Sequence, residues 1–259
     1  MSKIQTGITK YLSDGRFAAK LLPDNICYLC QQPTAALVCG HCEQDCLFFN
    51  LPSCDYNLLN WPVIRNALVT ASYTQLRAPA YYQWPLDYLV REFKYGQPQL
   101  AATLAGWFCR YGLNSNHGLP DCLLPVPTSI WRYILRQYHQ TSLLSTGLSR
   151  ILGIPTINNW AQRSTLGKGW RSHQQGLGRK ARLANLKQAY TLTDTPLPEH
   201  VAIIDDVITT GSTVATLSKM LHKRYPTMHI EVWTIAVTPL KAHSTLQLPG
   251  RQLASQAKC

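Results

Sequence analysis

Val201-Ala-Ile-Ile-Asp-Asp-Val-Ile-Thr-Thr-Gly-Ser-Thr213 sets the class of this chain. Its first four residues form an unbroken apolar run, the pattern of a strand buried on both faces of a parallel sheet. Asp205 and Asp206 follow at the C-terminal end of that strand, where open α/β sheets bind their ligands. Then comes a loop of small, hydroxylated residues: Thr209, Thr210, Gly211, Ser212 and Thr213. Gly211 permits close backbone approach or a positive φ. A helix is predicted from Thr213 to Arg224, and its leading N–H groups and dipole favour a phosphate. Carboxylates accept hydrogen bonds from sugar hydroxyls. One element therefore offers acceptors for a ribose and donors for its 5′-phosphate. A nucleoside triphosphatase would need a Gly-rich loop ending in Gly-Lys-Ser/Thr, and Gly167-Lys168-Gly169 is not one.

On the C-terminal side, Ile230 to Val237 reads as the next strand, which completes a βαβ unit. On the N-terminal side, Cys122-Leu-Leu-Pro-Val-Pro127 reads as a strand and turn. A helix fits His139 to Leu152, with Gly153 as its stop. Helical spacing also marks residues 84–94 and 98–111, and Val69 to Tyr73 reads as a strand. Residues 161–180 are rich in Gly, Arg, Ser and Gln and read as a long loop able to close as a lid. The expected fold class is α/β, a parallel sheet flanked by helices.

The chain has 259 residues, 46% hydrophobic and 15% charged, which suits a packed domain with a small appendage. No apolar run reaches the ~18–20 residues of a membrane span. Residues 1–22 lack the order of a secretory leader, which implies a cytoplasmic chain. The net charge of +12 points to a polyanionic ligand or partner, and Arg163, Lys168, Arg171, Arg179, Lys180, Arg182 and Lys187 concentrate it. Of the 9 cysteines, Cys27-x-x-Cys30 and Cys39-x-x-Cys42 form two knuckles able to place four thiolates on one structural Zn²⁺. Cys46, Cys54 and His41 are weaker ligand candidates. The expected organisation is a lead-in over 1–22, a zinc-binding segment over 23–56, the main domain over 57–239 and a polar tail over 240–259.

The 201–213 segment resembles the phosphoribosyl pyrophosphate signature of type I phosphoribosyltransferases. The chain from about Cys27 to Val237 is similar to the ComF family, the competence protein F and GntX-like proteins. Besides the cysteines and the signature, the matching positions are Pro85-Leu86 with Lys94-Tyr-Gly96, Val126-Pro127 followed by Arg132, Arg136 and Gln140, and then Gln174, Leu177, Arg182, Asn185, Leu186 and Tyr190. The resemblance implies a zinc-binding segment ahead of a phosphoribosyltransferase-like domain. It implies that Asp205 and Asp206 contact ribose hydroxyls, and that Thr209 to Thr213 wrap the 5′-phosphate. It also implies a part in DNA uptake or utilisation, with single-stranded DNA and a competence helicase-type protein as partners. Where the family has Arg-Gly-Phe-Asn-Gln, this chain has Arg136-Gln-Tyr-His-Gln140, so a Cβ at Gln137 restricts the backbone of the pyrophosphate loop.

Three functions follow from these residues. A phosphoribosyltransferase would release pyrophosphate with Mg²⁺, and Arg132, Arg136, Lys168 and Arg171 are the candidates to stabilise the leaving group. A binding module would hold the phosphoribosyl ligand and handle single-stranded DNA, with Trp131, Trp160 and Trp170 as candidates for stacking on bases. A zinc adaptor with an inactive nucleotide fold would bind no such ligand. The altered Gln137 loop and the lack of a visible acceptor site favour the binding module. His139, His173 and His222 are minor acid–base candidates.

Overall fold

A computed structural model of the chain describes residues 26–69, 72–114, 118–128, 138–163 and 189–238. In chain order its elements are α1 (Gly40–Gln44), α2 (Pro62–Ala67), β1 (Gln75–Arg77), β2 (Ala80–Tyr81), α3 (Leu86–Lys94), α4 (Leu100–Trp107), β3 (Cys122–Pro125), α5 (Gln140–Leu152), β4 (Ala161–Arg163), β5 (Tyr190–Leu192), β6 (His200–Ile208), α6 (Ser212–Arg224) and β7 (His229–Val237). Among the described residues one parallel sheet runs in the order β1-β7-β6-β3, with β2 also pairing β7.

Alternation along β6 divides the core. Ala202 and Ile204 join Leu86, Leu89 and Phe93 of α3, Leu100 and Leu104 of α4, and Leu144 and Leu148 of α5. Val201 and Ile203 turn the other way, to Val214, Leu217 and Leu221 of α6 and Ile64 of α2. Both faces of β6 are thus covered by helices, as its continuous apolar run requires. α6 carries Thr213, Val214 and Thr216, weak helix formers. Its buried Val214, Leu217 and Leu221, at about 1.5–3 kcal/mol each, outweigh that deficit. α5 meets α4 through Gly147, where a Cβ would stand 2.9 Å from that of Ala105.

The helices and strands expected around the signature are present, with three corrections. β6 runs from His200 to Ile208, past the apolar run at both ends, with Asp205 and Asp206 near its C-terminal end as expected. The strand expected at Val69 to Tyr73 begins instead at Gln75. Ahead of it, Val69 N–H donates to the Thr210 carbonyl, in the loop after β6, at 2.9 Å. The Asn57 side chain secures the start of β1, donating to the Thr74 carbonyl and accepting from Leu76 N–H. Third, the loop expected from residue 161 opens with β4, which pairs antiparallel with β5. No helix among the described residues is long and apolar enough to cross a membrane.

The cysteine segment packs on the main domain. Cys27, Leu37, Val38, Cys42 and Cys46 share one core with α3 and α4. Tyr28 Oη donates to Glu92 of α3 at 2.9 Å, and Phe48 stacks on Tyr111 at 3.8 Å between ring centroids. Glu43 of α1 accepts from Tyr111 Oη at 2.7 Å and pairs with Arg110.

Candidate functional site

An open cleft of about 160 Å³ lies at the C-terminal ends of β3 and β6. Val126, Pro127 and Thr128 line one side, Asp205, Asp206 and Val207 the other, and Thr213, Gln140, Thr141, Arg163 and Tyr190 close the rim. Asp205 and Asp206 both line the cleft. Val207 packs with the α3 core and Ile208 with the α6 core, so the alternation set by Val201 to Ile204 shifts across the two aspartates. Asp206 Oδ2 forms an ion pair with Lys94 Nζ at 3.0 Å, both largely screened from water. The Lys94 ammonium also lies 5.9 Å from the centroid of the Tyr82 ring.

Thr209 and Thr210 are exposed, and Gly211 is buried at φ +68°, the N-cap of α6. A Cβ there would come within 3.2 Å of Leu68 Cδ2, and the left-handed φ itself favours glycine. No side chain caps α6. Its leading amides thus lack the usual hydroxyl or carboxylate partner, the arrangement that receives an anion.

Two of the family-matched residues, Lys94 and Gln140, meet beside this cleft. Gln140, buried at the start of α5, donates from Nε2 to the Lys94 carbonyl at 3.3 Å. Tyr138 Oη donates to the Phe93 carbonyl and accepts from Gly96 N–H. The Lys94-Tyr-Gly96 turn is thus clamped from α5, which aims Lys94 at Asp206. Arg132, Arg136, Lys168, Arg171, Gln174, Arg182, Asn185, Trp131, Trp170 and His173 lie outside the described residues, as do residues 1–22 and 240–259. Trp160, expected as a base-stacking candidate, is instead core: its indole is buried and donates to the Pro125 carbonyl at 2.9 Å, tying down the end of β3.

His139, ahead of α5, braces the cleft. Thr128 N–H points at its Nε2 at 3.0 Å, and Ser142 N–H at its Nδ1 at 3.2 Å. A neutral imidazole has one ring lone pair to offer these amides and an imidazolium none. Burial lowers the His139 pKa below its ordinary 6.5. Unfolding therefore takes up a proton, and the stability from this brace is full above about pH 6.5 and declines as the pH falls below it. Melting curves from about pH 8 to about pH 5 should show that decline in the wild type. His139→Asn, which keeps an N-cap side chain, should flatten it. An unchanged slope in the variant would remove His139 as the cause.

Cys27, Cys30, Cys39 and Cys42 form a group whose sulfurs all lie within 4.8 Å of one another, a geometry that can hold a metal ion. Burial opposes ionisation of Cys27, but the amides of Cys39, Cys30 and Leu29 override it and lower its pKa to about 6. Burial raises that of Cys42. Cys46 and Cys54 are buried outside this group, their thiols donating to the Cys42 and Leu51 carbonyls.

The sequence reading passed over a stripe on α3. Tyr88 and Arg91 lie one turn apart on the helix, Trp84 precedes it and Tyr95 caps its end, and Trp84 and Tyr95 are 67% and 70% exposed. The Trp84 and Tyr88 ring centroids are 5.7 Å apart, and the Arg91 guanidinium lies 5.4 Å from that of Tyr88. The signal was legible as the aromatic residues left over once Leu86, Leu89, Val90 and Phe93 are assigned to the core.

No family model matches the chain. It is 33% identical over 222 residues to competence protein F of Haemophilus influenzae, covering 82% of this chain and 90% of that protein. It is 28% identical over 228 residues to the DNA utilization protein YhgH of Salmonella typhimurium and of Escherichia coli K12, covering 82% of this chain and 97% of each. Among solved structures it aligns with a glutamic acid mutant from a study of an invariant aspartic acid in HPRTs, at 17% identity and TM-score 0.28, over 62% of this chain and 75% of that one. It also aligns with the hypoxanthine phosphoribosyltransferase of Trypanosoma cruzi, at 19% identity and TM-score 0.28, over 57% and 64%.

Proposed function

The chain belongs to the competence protein F family, and from that premise we propose that it binds phosphoribosyl pyrophosphate with Mg²⁺ at the end of β6 and serves in DNA uptake or utilisation. One juxtaposition carries the ligand assignment. Asp205 and Asp206 share a cleft with Thr213, at an uncapped helix N-terminus entered through Gly211 at φ +68°. The carboxylates take ribose hydroxyls, and the amides and hydroxyls of Thr209 to Thr213 take the 5′-phosphate. Lys94 neutralises Asp206 and holds it in place. Calorimetric titration with phosphoribosyl pyrophosphate and Mg²⁺ tests this, and the absence of saturable heat would overturn it. The cysteine group takes Zn²⁺, since a set of four thiolates at knuckle spacing makes a closed structural site.

Single-stranded DNA is the nucleic acid partner, and the α3 stripe is where its bases stack. Exposed aromatic rings with an interleaved arginine suit base faces, and the chain's +12 charge suits the phosphates. Stacking contributes about 1–3 kcal/mol per base, so Trp84→Ala with Tyr95→Ala should weaken binding of an oligothymidylate by roughly 30-fold or more. Wild-type affinity should also fall steeply from about 50 to about 200 mM salt. Binding indifferent to salt would eliminate the electrostatic part, and unchanged binding by the double variant would eliminate the stripe.

A further inference from the structure

At the opposite end of the sheet from the cleft, three potential ligands converge. His200 and His229 are the first residues of β6 and β7 and stand opposite each other in register. Glu231 lies two residues on from His229, hence on the same face of β7. The ligand atoms of all three lie within 4.8 Å of one another. Asp205 is five residues further along β6, about 17 Å at strand rise, so the two places are separate.

The Glu231 carboxylate is buried, 1% exposed, and its two oxygens meet different partners. Its Oε2 accepts from Arg77 Nε at 2.9 Å and from Trp233 Nε1 at 2.7 Å. Its Oε1 faces His200 Nε2 at 3.0 Å. The His200 and His229 rings are 4.3 Å apart between centroids, and the His229 ring has no hydrogen-bond partner among the described residues. Arg77 and Trp233 thus fix the carboxylate through Oε2, as outer-shell partners fix metal ligands, and leave Oε1 facing His200, with the His229 ring close by. The His200 side chain keeps 24% of its surface, which gives an ion a way in.

We propose that His200, His229 and Glu231 form a second metal site, for a divalent ion of the zinc class, at the foot of the parallel sheet. Two imidazoles and one carboxylate favour Zn²⁺ or Co²⁺ over Mg²⁺ or Ca²⁺, which prefer oxygen ligands. The charge of Arg77 opposes any cation here, but it is engaged by Oε2, and the imidazoles supply the remaining donors. On binding, the ion takes the place of the proton shared by His200 Nε2 and Glu231 Oε1, and His200 carries its proton on Nδ1.

Cobalt distinguishes this site from the cysteines, because only thiolate ligation gives an intense sulfur-to-cobalt charge-transfer band. Full-length protein is exchanged into Co²⁺ and titrated, with bound metal counted by equilibrium dialysis. Two equivalents are expected, the charge-transfer band saturating at the first. His229→Ala and the milder His229→Gln should each lose the second equivalent and keep the band. One equivalent in the wild type, or a second equivalent that survives in a folded His229 variant, would overturn the proposal.

Discussion

Asp205→Asn combined with Asp206→Asn will reduce the affinity for phosphoribosyl pyrophosphate by about 100-fold or more, while the protein stays folded. Each carboxylate is assigned a charge-assisted hydrogen bond to a sugar hydroxyl, worth about 1.5–3 kcal/mol. Losing two comes to about 3 kcal/mol at the least, on the order of a hundredfold in Kd. Asparagine keeps the shape of the side chain and one acceptor, so the change reports charge rather than packing. The change at Asp206 also leaves the Lys94 ammonium, only 18% exposed, without its partner. Some stability is therefore lost at that position, and Lys94→Met together with Asp206→Asn removes the stranded charge. Calorimetry measures the affinity and a melting curve verifies folding. A double variant that binds as the wild type does would show that the ribose is not held by this pair.

Much of this geometry was legible in the residues themselves. The run Val201 to Ile204 announced a strand covered on both faces, and the alternation of Val201 and Ile203 against Ala202 and Ile204 between two helical layers is its physical expression. The Gly211 turn and the two cysteine knuckles were legible for the same reason, since few other arrangements use those residues at those spacings. Less was readable where a contact joins distant segments. Nothing local to Lys94 shows that it meets Asp206, and nothing local to Gln140 shows that its amide reaches the Lys94 carbonyl. Trp160 was misread because a flanking polar stretch suggests a surface, whereas its indole N–H has a buried carbonyl to satisfy. The His200, His229 and Glu231 group arises only from strand register, which no single segment encodes.

If the cysteine group holds Zn²⁺ as proposed, its loss should reach the cleft. Cys27 is buried and Cys42 nearly so, in the same core as Leu86, Leu89 and Phe93 of α3. Structural Zn²⁺ contributes apparent binding energies of about 10–16 kcal/mol in isolated finger peptides, so even a fraction of it matters here. Cys27→Ser removes one ligand, and a destabilisation of about 4 kcal/mol would lower Tm by roughly 8–16 °C. The affinity for phosphoribosyl pyrophosphate should fall with it. Tyr28, next to Cys27 in sequence, holds Glu92 of α3, and Lys94 leaves the same helix two residues later to meet Asp206. Metal analysis of the pure wild type should find at least one equivalent of zinc, and less than half an equivalent would dismiss the site. If Cys27→Ser lost metal and stability but bound the ligand unchanged, the cysteine segment would serve folding alone. A parallel loss of affinity, partly restored when α3 is stabilised independently, would show that the metal acts on the cleft through α3.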